Sequence, residues 1–212
     1  MKYVAGSLIL MVFALAAVPV SAQEAGAVAT APAMAAPDKG DRRDRSSSAD
    51  ERRAARLDMM FGRLANAEDE RRARRIARHI MRRMSQSGSD TIDFLMLRAG
   101  EAVRKKEYGF ALDLLDGVVR LKPEFAEGWN RRATVHFLVG NYGQSIADIE
   151  QVLAREPRHW GALAGLSMIL VSLERKEEAL VVMDQALTVH PHLSRMQERR
   201  DRLAQEVGGA DI

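Results

Sequence analysis

Residues 126–159 read AEGWNRRATVHFLVGNYGQSIADIEQVLAREPRH, and the chain returns to the same pattern 34 residues before and after. Pro123, Pro157 and Pro191 mark that period, so blocks 92–125, 126–159 and 160–193 can be laid over one another. Small residues share two columns, Ala99/Ala133/Ser167 and Ala111/Ser145/Ala179. Bulky residues share others: Leu95/Trp129/Leu163, Leu115/Ile149/Met183 and, more compactly, Val118/Val152/Ala186. A period of this length is the signature of stacked supersecondary units.

The columns have a physical reading. Small residues let the two helices of one unit approach closely, and bulky ones fill the space between units. A proline cannot donate to a helical ladder and pushes the residue before it out of helical conformation, so each block ends there. One two-helix unit cannot bury its own apolar face, so neighbours must stack. The pattern is all-α.

These columns resemble the tetratricopeptide repeat (TPR), whose pattern runs bulky residue, Leu-Gly, aromatic, small residue, aromatic, Ala and finally Pro. The middle block carries it best, as Trp129, Ala133, Gly140, Tyr142, Ser145, Ile149, Val152 and Pro157. At block position seven, where the family favours Leu, the first two blocks hold Arg98 and Arg132, and Leu166 alone conforms. The resemblance covers about half the chain and implies a right-handed solenoid closed by a C-terminal capping helix. It also implies a concave groove lined by the first helix of each repeat. On the family's lining positions stand Met96 and Arg104, then Asn130, Thr134 and Phe137, then Met168. Arg131, next to Asn130, is placed to reach a carboxylate. Members that clamp a C-terminal Glu-Glu-Val-Asp peptide need Lys and Asn where this chain has Met96 and Gly100, so that ligand is not expected. A competing reading leaves Met168 and Val171 packed under the capping helix.

Flanking the repeats, residues 1–22 read as an export signal to be cleaved: Lys2, an uncharged and mostly apolar run from Val4 to Val18, Pro19, then Val20-Ser21-Ala22 as a small-x-small site. The apolar run is shorter than a spanning helix needs; retention as an anchor is the alternative. Residues 23–48, rich in Ala, Pro, Gly and Ser, read as a disordered linker. Ser48-Ala49-Asp50-Glu51 reads as a capping box that starts a helix. With a second helix to about Ser85, residues 49–88 read as a degenerate helical pair, one period ahead of the first good block, with Ser89 or Asp90 capping that block. Residues 194–212 supply the capping helix and tail.

Candidate chemistry is sparse. There is no cysteine, which excludes disulfides and thiolate catalysis. His190-Pro191-His192 lacks a third ligand at helix spacing, and no phosphate-binding loop or nucleophile setting appears. The reading is therefore non-enzymatic, with no metal, no cofactor and no small-molecule substrate. Basicity is local, since 32 basic residues nearly balance 29 acidic ones. It concentrates in Arg71, Arg72, Arg74, Arg75, Arg78, Arg82 and Arg83, which spread around one helix. Nucleic acid is not expected, because an exported protein meets little of it and no aromatic residues are interleaved for stacking. The sequence thus predicts a periplasmic scaffold that binds an envelope protein or peptide in its groove and supports envelope integrity or assembly. The alternative is a surface binder that uses arginines 71–83 on anionic lipid or polysaccharide.

Overall fold

A computed structural model describes residues 39–209, with side chains from residue 51 onward. Among the described residues the chain is helical: α1 (Lys39–Ala65), α2 (Glu70–Met84), α3 (Asp90–Arg104), α4 (Tyr108–Leu121), α5 (Ala126–Leu138), α6 (Tyr142–Arg155), α7 (Trp160–Ser172), α8 (Lys176–Val189) and α9 (Ser194–Gly209). Residues 43–212 form one compact unit; of the unit before it, residues 1–42, only the start of α1 is described. No helix among the described residues is long and apolar enough to cross a membrane. The export signal and residues 23–38 of the expected linker lie outside the described residues.

The three hairpins, α3–α4, α5–α6 and α7–α8, share one register. Their second helices begin at Tyr108, Tyr142 and Lys176 and end at Leu121, Arg155 and Val189, each set spaced by the repeat period. Lys122, Glu156 and His190 follow, each directly before a proline and each out of helical conformation, with φ of −139°, −140° and −136°. The steric demand of proline on its predecessor fixes that backbone. Within each hairpin the turn needs a left-handed residue, and Lys106 (φ 62°), Gly140 (φ 79°) and Glu174 (φ 59°) supply it. The amides of Glu107, Asn141 and Arg175 then reach back five residues to the carbonyls of Ala102, His136 and Leu170. This closure satisfies carbonyls that the helix end would otherwise leave open.

The repeat columns form the core. Ala99, Ala133, Ser167, Ala111, Ser145 and Ala179 are all buried, as are Leu115, Ile149, Met183, Val118, Val152 and Ala186. Ser145 keeps its column small while hydrogen-bonding the Ala133 carbonyl at 2.8 Å. Each buried Leu, Ile or Met contributes roughly 1.5–3 kcal/mol by leaving water. Gly128 has a packing role of its own, because a Cβ there would meet Val118 Cγ1 at 2.7 Å. At position seven Arg132 replaces apolar filling with ions, gripping Asp148 through Nε (2.9 Å) and Nη2 (2.6 Å) and Asp116 through Nη1 (2.7 Å). Its guanidinium also lies over the Trp129 ring.

The N-terminal hairpin departs from expectation twice. Helix α1 begins at Lys39, so Ser48 lies inside it rather than at its start; past Pro37 no proline interrupts the run. Nor does the hairpin stack on the first repeat as a preceding unit would. Phe61, Leu64, Ala73 and Ile80 instead close on Trp160, Val189 and Leu193, at the start of α7 and the α8–α9 junction. Trp160 explains the choice: the equivalent residues of the other blocks are Ile92 and Ala126, and neither offers so large an apolar face. Polar contacts hold the same seam. Arg158 pairs with Asp58 at 2.8 Å and lies over the Phe61 ring, His192 Nε2 donates to the Ala67 carbonyl at 2.8 Å, and Ser194 donates to Glu70. Phe94 and Leu97 on α3 are left exposed. Between α2 and α3, Asp93 accepts from the amide and hydroxyl of Ser87, whereas the Ser89 side chain makes no capping bond.

Candidate functional site: a groove along the first helices

Helices α3, α5 and α7 line a run of adjoining cavities. One of about 360 Å³ is bounded by Val103, Arg104, Asn130, Arg131 and Thr134. The next, about 210 Å³, shares Asn130 and Thr134 and adds Phe137, Ala164 and Met168. A third, about 640 Å³, shares Ala164 and continues past Trp160 to Arg195 and Arg199 on α9. Shared walls make these one track crossing α3, α5, α7 and α9.

Six of the seven groove residues expected from sequence therefore lie on this track. Met96 does not; it is buried with Ile92 and Leu115 in the core of the first repeat. The face of α3 turned toward α4 takes Met96, and Arg104, further along the helix, reaches the cavity. Met168 is half-buried and lines the middle cavity, although Val171 beside it does pack with Leu170 and Met183.

Glu127, which stands on one of the family's lining positions, organises the floor. It is buried, yet it accepts from Asn130 Nδ2 (3.0 Å) and Arg131 Nε (3.1 Å) and lies 3.4 Å from His159 Nε2. His159 Nδ1 accepts from the Ala162 amide at 3.1 Å, so the ring carries its proton on Nε2 and donates toward Glu127. Burial raises the Glu127 carboxyl pKa, but the hydrogen bond from His159, together with the charge and hydrogen bond of Arg131, more than reverses this, and the group titrates below the ordinary glutamate value. The signal available in sequence was the pair itself: Glu127 at position two of one repeat and His159 at the end of the same block. Arg131 thus has one face committed to Glu127 while its side chain remains 42% exposed to the groove. Thr134 bonds back to the Asn130 carbonyl.

On α2 the arginines divide. Arg72 pairs with Glu68, and Arg74 with Glu70. Arg71, Arg75, Arg78, Arg82 and Arg83 have no carboxylate at ion-pair distance among the described residues. Four of these, at 71, 75, 78 and 82, fall at helical spacing on one stripe, within the seven that spread over most of the solvent side. Among the described residues no group of three or more His, Asp or Glu side chains is placed to hold a metal.

No protein-family model matches the chain. A TPR repeat-containing protein of Rhizobium etli is 42% identical over 154 residues, spanning 73% of this chain and 76% of that relative. Among solved structures, the first TPR of Spaghetti (RPAP3) bound to an HSP90 peptide matches with a TM-score of 0.54 and 16% identity, over 57% of this chain and 95% of that one. The TPR domain of Arabidopsis OM64 gives 0.53 at 17% identity, over 55% and 97%. The TPR2B domain–pHsp70 complex of yeast Sti1 gives 0.51 at 18% identity, over 57% and 99%. The structural likenesses carry the fold, and the Rhizobium relative carries the kinship: this chain belongs to the tetratricopeptide-repeat family.

Proposed function

We propose that this protein is a non-enzymatic adaptor of the cell envelope that holds a protein or peptide partner in extended form along α3, α5 and α7. The continuous track is the observation that carries this reading. Its middle offers adaptable apolar contact at Phe137 and Met168 beside the polar Asn130 and Thr134. Solved TPR neighbours whose descriptions name a bound HSP90 or Hsp70 peptide support the same use. Export to the periplasm rests on the pattern of residues 1–22, and a role in envelope integrity or assembly follows from that location.

The test compares the purified chain with Asn130→Ala/Phe137→Ala as bait for envelope extract, while fractionation reports where the native protein sits. A defined partner retained by the parent and lost with the groove variant is expected. Equal retention by both overturns the groove, and recovery in the cytoplasmic fraction overturns the location.

The arginine stripe on α2 favours a second reading, contact with anionic lipid or polysaccharide, since clustered arginines near such a surface gain roughly 1 kcal/mol each. Under that reading, Arg71→Glu/Arg75→Glu/Arg78→Glu abolishes retention and the groove variant does not. Binding would also fade as salt rises to physiological strength.

A further inference from the structure

The third cavity exists because the N-terminal hairpin closes on the third repeat. Helix α2 brings Arg74 to one side, and α9 brings Arg195 and Arg199 to another. His192, between them, donates its Nε2 proton to the Ala67 carbonyl. Glu70 is the carboxylate among the lining residues, and it is already engaged by Arg74 and Ser194. Arg195 and Arg199 are exposed and have no carboxylate at ion-pair distance among the described residues. Beneath them the floor is apolar, made by Trp160, Ala164 and Met196. A cationic rim over an apolar floor selects a ligand that is acidic and apolar together.

The charge is also distributed along the track. Arg104 stands at its α3 end beside Arg131, which is already paired with the buried Glu127 of the same cavity, Asn130, Thr134, Phe137 and Met168 leave the middle uncharged, and Arg74, Arg195 and Arg199 stand at the α9 end. Successive packed helices lie about 10 Å apart, so the track from α3 to α9 is about 30 Å long. An extended chain covers about 3.3 Å per residue, so about nine residues fill it.

We infer that the occupant of the groove is an extended peptide of about nine residues with acidic ends and an apolar centre, and that Arg195 and Arg199, with Arg74 beside them, receive the carboxylates of one end. This deepens the proposed function and rests on its groove. An end-on acidic group gains from two guanidinium forks without having to break an existing ion pair.

The experiment selects displayed random nonapeptides on the full chain, on Arg195→Glu/Arg199→Glu and on Asn130→Ala/Phe137→Ala, with phosphatidylglycerol vesicles as a separate arm. Peptides enriched in Asp and Glu at one or both ends are expected on the parent. The α9 variant should lose the acidic preference at one end and bind the parent's best peptide at least about tenfold more weakly. Selection without acidic enrichment, or enrichment that survives the α9 reversal, overturns this inference and leaves the groove standing. Peptides indifferent to the Asn130/Phe137 substitution would instead remove the groove itself. Vesicle binding that depends on Arg195 and Arg199, with no acidic peptide preference, would reassign the cluster to lipid and also overturn the inference.

Discussion

The ring of Phe61 meets the indole of Trp160 edge-on, with centroids 5.9 Å apart and planes at 76°. This pair, with Arg158 over the Phe61 ring, is the centre of the seam that holds α1 and α2 to the third repeat. Phe61→Ala opens a cavity there and should cost about 3 kcal/mol, read by urea unfolding. Trypsin should then cut the arginine-rich helix faster while the repeats stay intact. Unchanged cutting would show that the hairpin is held elsewhere.

Glu127→Gln should lower stability by about 2 kcal/mol at neutral pH, because it removes the charged acceptor shared by Asn130, Arg131 and His159. The folded Glu127 pKa lies below its ordinary value. Its contribution is therefore full above the unfolded glutamate pKa of about 4.3 and is lost as pH falls from there through the lower folded value. Parent and variant curves, measured between neutral and acid pH, should converge at the acid end. Parallel curves would show that the carboxylate contributes no charge-dependent stability.

Lys106→Gly should raise stability by about 1 kcal/mol, since a lysine holds the left-handed turn position that Gly140 fills in the next repeat. Thermal unfolding checks it, and a lower midpoint would mean that the turn gains more from a stiff chain than it loses in strain.

Gly128→Ala and Gly143→Ala should move in opposite directions. The first forces a methyl against Val118 and should cost on the order of 1–3 kcal/mol. The second meets nothing within 4 Å in α6 and should gain about 0.5 kcal/mol of helix propensity. Equal effects would show that α5 is free to back away from α4.

Much of this architecture was legible because it is periodic and local. Pro123, Pro157 and Pro191 fix where second helices stop, and the small columns at Ala133 and Ser145 fix where helices touch; both are consequences of backbone sterics that recur with every copy. The groove was legible through the same register at Asn130, Thr134, Phe137 and Met168. Met96 was misplaced because the lining position is held here by a long apolar side chain, which packs with Ile92 and Leu115 in the core of the first repeat. The partner of the N-terminal hairpin was hidden for a different reason. A contact between residues about a hundred positions apart leaves no period, and its one trace was Trp160 standing where Ile92 and Ala126 stand in the other blocks.

That contact changes how the chain comes into being. A solenoid ordinarily assembles from neighbours, each copy ready as soon as the next appears. Here the hydrogen bond from His192 to Ala67 spans 125 residues, so α1 and α2, the first of the described helices to be synthesised, lack their full docking surface until α7 and the α8–α9 junction have been made. Loop closure over that distance is slow relative to hairpin formation. During this interval Phe61 and Ile80 remain uncovered, and whatever escorts the nascent chain must shield its beginning until its end arrives.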